Sequence, residues 1–151
     1  MKQVLLGFEL PELDRKRTQA AVEDALEKYQ IFKTIAFEER EAGITAGYNE
    51  RFHGPTNVTS DQTADIATHN IDVQAQRRSY CERIERAVSK LAPRERLLIT
   101  ERYMTEDDEV FDYMVYNDIL RVSESKFYKM KWRAFYKLAL ILKIEVVKEK
   151  E

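Results

Sequence analysis

Apolar positions along the chain recur at helical spacing. After Leu10 and Pro11, Asp14 can cap a helix whose apolar side chains Val22, Leu26, Tyr29, Phe32 and Ile35 step by three and four, which predicts an amphipathic helix over about residues 14–40. Residues 42–60 gather three of the four glycines with Pro55 and several Asn, Thr and Ser, the composition of a loop or linker. Ser60 or Asp61 can cap a second helix over about 62–91, with Tyr80, Ile84, Val88 and Leu91 as its later stripe before Pro93 stops it. At 1.5 Å per residue that helix is roughly 40 Å long, enough to join an N-terminal unit to a C-terminal one. Pro93 suits the first turn of a third helix, about 94–103, carrying Leu97, Leu98, Ile99, Tyr103 and Met104. An acidic loop, 106–109, follows. Asp108 or Asp112 can cap a short helix over about 111–119 with Met114, Val115 and Ile119, and Ser123 can cap a last one running to about 142. A short helix, a tight turn and a longer basic helix have the grammar of a helix-turn-helix.

With four glycines and three prolines against many Leu, Ile, Ala, Glu, Lys and Arg, the expected fold class is all-α: an N-terminal helical region and loop (1–60), a long connecting helix (61–92), a helix-turn-helix domain (93–142) and a charged tail (143–151). One cysteine, Cys81, cannot form an internal disulfide and reads as a structural thiol on the apolar stripe of its helix. His53 and His69 stand sixteen apart without a carboxylate pattern, so no metal site is expected. The stretch 43–47 lacks the Lys-Ser/Thr of a phosphate loop, and the acidic run 106–109 lacks the alternating ligands and glycine of a calcium loop. No catalytic constellation and no cofactor follow. The apolar run at residues 4–8 is far short of the roughly 20 residues a membrane span needs, so neither a leader nor a membrane partner is expected, and a reducing cytoplasm is the expected setting.

The net charge of -2 conceals a strong asymmetry. Residues 93–122 carry four basic against eight acidic side chains, whereas residues 123–151 carry eight basic against four acidic. Binding responds to that local field and not to the total. On a helical projection Phe127, Met130, Ala134, Leu138 and Ile141 share the expected buried face. Ser125, Lys129, Trp132 and Tyr136 lie opposite, flanked by Lys126, Tyr128, Arg133 and Lys137. Hydroxyl, ammonium and aromatic edges on one face suit a helix that enters the major groove of duplex DNA, although a solvated basic face with snorkelling tyrosines has the same composition.

Residues 91–103 (LAPRERLLITERY) and 120–138 (LRVSESKFYKMKWRAFYKL) resemble region 4 of bacterial sigma factors. With residues 8–14 (FELPELD), 27–29 (EKY), 112–117 (DYMVYN) and 135–139 (FYKLA), the chain resembles over nearly its full length the ArpU family, transcriptional regulators of phages and prophages associated with late lysis and packaging genes. The resemblance implies a non-enzymatic regulator that reads promoter DNA with the helix from Ser123 and acts with host RNA polymerase, its N-terminal helices forming a partner or self-association surface. It places Glu124, Ser125, Lys126 and Lys129 at the bases and Tyr128, Lys131 and Arg133 nearer the phosphates. Such domains commonly carry glycine at the position of Arg121. Either Arg121 adopts a left-handed conformation at some cost, or the turn is built differently. A structural DNA-packaging adaptor of small-terminase type and a polymerase-binding modulator without DNA contact are the alternatives.

Overall fold

The computed structural model describes residues 9–46, 61–107 and 109–149. The element order is α1 (Arg15–Ala46), α2 (Asp61–Ser89), α3 (Pro93–Tyr103), α4 (Asp112–Met114) running on into a π-helical turn (Val115–Ile119), and α5 (Glu124–Leu142). The fold is all-α; among the described residues the one β-type pairing is an isolated antiparallel bridge between Leu13 and Val147. No helix among the described residues is long and apolar enough to cross a membrane.

Local chemistry sets the helix ends. Asp14 Oδ1 accepts from the backbone N–H of Arg17 at 3.1 Å, the N-cap expected from the sequence. α1 then continues to Ala46, so residues 42–46, expected in the loop, are helical. His53 and the rest of that loop lie outside the described residues. Pro93 occupies the first turn of α3 without losing a hydrogen bond, because the N–H it lacks has no partner inside a helix. The short helix departs from expectation. Asp112 does not cap it: its N-cap is Phe111, without a side-chain hydrogen bond, and Asp112 is its first residue with its carboxylate turned to other helices, while Asp108 lies outside the described residues.

One buried cluster draws on all of these helices: Val22, Leu26 and Tyr29 of α1; Cys81, Ile84 and Val88 of α2; Leu98 and Ile99 of α3; Val115; and Phe127, Phe135 and Leu138 of α5. The boundaries drawn at residues 60 and 92 therefore do not separate cores among the described residues. The C-terminal half of α2 is a wall of this shared core. Cross-helix bonds at the rim fix the packing. Tyr29 Oη donates to Glu85 at 2.8 Å, Tyr80 Oη to the Ala25 carbonyl at 2.7 Å, and Arg83 to the Leu142 carbonyl at 2.9 Å. Cys81 is buried, its thiol near the Tyr29 carbonyl and its pKa pushed up by burial, an inert environment.

The expected charged tail is in large part structural. Lys143 ends α5 in the left-handed region (φ 59°), after which the chain returns to the start of α1. Asp14 N–H donates to the Val146 carbonyl at 2.8 Å, and Lys148 N–H to the Glu12 carbonyl at 3.0 Å. Fully buried Thr18 bonds Val146 through its hydroxyl in both directions. Residues 11–18 and 144–148 are thus joined beside α5, and this closure decides which α5 residues stay open.

Candidate nucleic-acid interface

The turn between the π-helical segment and α5 begins with a register change. Leu120 N–H donates to the Val115 carbonyl and Val122 N–H to the Tyr116 carbonyl, bonds that reach one and two residues further back than the α-helical pattern. Arg121 then takes φ 53°, so the left-handed option is the one realised, with an arginine where a glycine would be unstrained. Ser123 caps α5, accepting from Lys126 N–H at 3.2 Å, as expected. The segment 112–142 is therefore a short helix, a four-residue turn and a nineteen-residue helix.

The buried face of α5 is rotated from the sequence projection. Phe127, Lys131, Ala134, Phe135, Leu138, Ala139 and Leu142 are buried, Met130 is half-buried, and Ile141, expected in the core, is 37% exposed. At 100° per residue, the shift toward the Phe135 side is about 60°. It brings Ser125, Lys126, Lys129, Arg133 and Lys137 into one exposed stripe.

Lys131 is the clearest correction. Expected near DNA phosphates, its side chain is only 8% exposed; its ammonium lies 3.3 Å from Asp112 Oδ2 and 3.9 Å from Glu23, with the rings of Tyr103, Tyr128 and Phe135 at 5.5–5.8 Å. The cause is Asp112. Its carboxylate also accepts from Arg102 Nε at 2.7 Å and Tyr128 Oη at 3.3 Å, gathering α3, α4 and α5 around one anion. Burial disfavours that charge, but the Arg102 hydrogen bond and the Lys131 ammonium outweigh it and hold the Asp112 carboxyl below the usual carboxylate range. Tyr128 is partly exposed, with its hydroxyl committed to Asp112 and its ring edge-on to Phe127.

Trp132 is also drawn away from an open face. It is half-buried, with the Arg15 guanidinium 5.0 Å over its ring and Tyr136 edge-on at 6.0 Å, and Tyr136 Oη donates to the Pro11 carbonyl at 2.9 Å. The segment leading into α1 covers both aromatics. Lys137 is half-exposed, but its ammonium is bound by both oxygens of the buried Glu95 on α3, at 2.5 and 2.9 Å. Glu124 is exposed in the first turn of α5, where a carboxylate is favoured by the helix dipole. Of the nine expected site residues, Ser125, Lys126, Lys129 and Arg133 thus remain together on an open face, with Glu124 at its start.

Asp112 is the residue that sequence reasoning missed. It was assigned only as a cap, and no sequence spacing shows that an arginine ten residues before it and a lysine nineteen after it meet on one carboxylate.

The chain is 28% identical over 148 residues to an uncharacterized phage-related protein of Listeria innocua, a match spanning 93% of this chain and 97% of that protein. No family model and no solved structure matches it.

Proposed function

We propose that the chain is a phage or prophage DNA-binding transcription regulator in which α5 enters the major groove of duplex DNA. The observation that carries it is the stripe of Ser125, Lys126, Lys129 and Arg133, exposed on a Ser123-capped helix behind a short turn, while the neighbouring cations Lys131 and Lys137 are matched by carboxylates. Lys129 lies near the middle of the stripe and offers donors to purine O6 and N7, and Arg133 one turn further on meets the backbone. The 28% identity to a phage-related protein supports the source, and the resemblance of residues 91–103 and 120–138 to sigma factor region 4 supports the mode of reading and gives host RNA polymerase as protein partner.

Selection of bound duplexes from a random DNA pool, read by sequencing, tests this. An enriched motif of one half-site or two spaced half-sites is the expected result. A pool that stays random, with no salt-sensitive binding to any duplex, refutes it.

A further inference from the structure

Two cationic side chains outside α5 are brought to the turn that precedes it. Arg94, the second residue of α3, donates through Nη2 to the Leu120 carbonyl at 3.0 Å, one residue before Arg121. The Lys137–Glu95 pair holds the same turn of α3 against α5. Arg94 is thereby tied to the start of the helix-turn-helix turn, and both Arg94 and Arg121 are exposed. Among the described residues Arg94, Arg121, Lys126, Lys129 and Arg133 make no ion pair, in contrast to Arg102, Lys131 and Lys137, each of which has a carboxylate partner. The exposed carboxylates of this region, Asp118 and Glu124, are outnumbered by the open cations.

Resting on the DNA-binding reading above, we propose that Arg94 and Arg121 hold the phosphate backbone of duplex DNA beside the groove that α5 enters. Position separates their role from that of α5. Base edges are reached from a helix inside the groove, whereas both arginines sit before that helix begins, where a duplex seated on α5 presents its strand. Arg94 spends one donor on the Leu120 carbonyl, which fixes the guanidinium plane and leaves its other N–H groups for phosphate oxygens. Arg121 keeps a left-handed backbone that glycine would adopt without strain, so its long exposed cation is the property glycine could not supply there.

The test is fluorescence anisotropy of the full chain with a selected duplex and a random-sequence duplex of equal length, across a potassium chloride series, with melting temperatures recorded for every variant. Arg94→Gln and Arg121→Asn should each weaken binding to both duplexes by about 3- to 10-fold. Each should reduce the slope of log affinity against log salt by about one unit, and the pair by about two. Arg94→Lys, which keeps the charge, should keep the slope. Asparagine tolerates the left-handed region, so Arg121→Asn decides the matter if Arg94→Gln unfolds. Unchanged slopes in folded Arg94→Gln and Arg121→Asn, with wild type binding DNA, overturn the phosphate role alone. A loss confined to the selected duplex overturns it too, because it marks base reading. Absence of salt-sensitive DNA binding by wild type overturns the DNA-binding proposal itself, and this inference falls with it.

Discussion

Replacing Asp112 by asparagine should destabilise the protein by about 2–3 kcal/mol at neutral pH, because one carboxylate serves three partners from α3 and α5. With its charge removed, the Lys131 ammonium, 8% exposed, keeps among the described residues only Glu23 at 3.9 Å as a counter-charge, and Glu23 is itself half in water. Stripping one partner from a buried pair costs about 3–5 kcal/mol; the 21% exposure of Asp112 and 26% of Arg102 let water recover part of that, which sets the lower figure. Lys131→Met should behave differently. It removes the ammonium from among the Tyr103, Tyr128 and Phe135 rings, fills the space with a flexible apolar chain and leaves Asp112 bonded to Arg102, so the change should stay within about 1 kcal/mol. The double variant should recover part of the Asp112→Asn loss. Because Asp112 has its carboxyl pKa lowered on folding, its contribution is fully present above the unfolded carboxylate value and is lost as pH falls through the folded one. The gap between wild type and Asp112→Asn should therefore close in acid, below about pH 4. Urea denaturation followed by far-UV circular dichroism measures all three variants. A loss below about 0.5 kcal/mol for Asp112→Asn, or strict additivity in the double variant, would refute the assignment of Asp112 as the shared anion.

Arg121→Gly should raise stability by up to about 1 kcal/mol in the same denaturation assay, since relief of the left-handed strain at φ 53° exceeds the extra chain entropy of glycine; destabilisation would mean the strain is absent. Ser123→Ala should cost about 1 kcal/mol by removing the acceptor for Lys126 N–H, while Ser123→Asp should cost little; equal losses would show that capping is not the cause. Lys129→Ala should cost about 1–3 kcal/mol on a selected duplex and much less on random DNA, whereas Arg133→Ala should weaken both alike; equal losses on the two duplexes for Lys129→Ala would remove its base-reading role.

The helices were legible because their apolar spacing is strong and their stops are chemical: Asp14 and Ser123 cap, Pro93 opens α3, and Val22, Leu26, Tyr29, Ile84, Val88 and Leu91 fall in the core as their periodicity predicts. The arrangement of the helices was not. Tail residues 144–148 pair with residues 12–14 through main-chain bonds, and the β-branched Ile144, Val146 and Val147 are too short a run for a reading by charge to single out as a pairing segment. Asp14 as a cap was visible because capping is local. Arg102, Asp112, Lys131 and Glu23 as a network was not, because their union depends on how α1, α3, α4 and α5 come together.

The α5 surface shows what such a network does to a helical projection. Ranking positions by hydrophobicity treats every lysine as a vote for solvent, which places the core stripe on Phe127, Met130, Ala134, Leu138 and Ile141 and leaves Lys131 outside. Once Asp112 supplies an anion inside, Lys131 becomes a core residue lying on aromatic rings, Phe135 turns fully inward and Ile141 rotates toward solvent. The rotation buries Lys131, the segment leading into α1 covers Trp132, and Glu95 pairs with Lys137, which leaves Ser125, Lys126, Lys129 and Arg133 as the open part of the proposed interface. A charge count over residues 123–151 gave the sign of the surface but could not say which charges were already spent inside the fold. Ion pairing within the protein is what sorts the cations of α5 into those that hold the helix in place and those left to meet a partner.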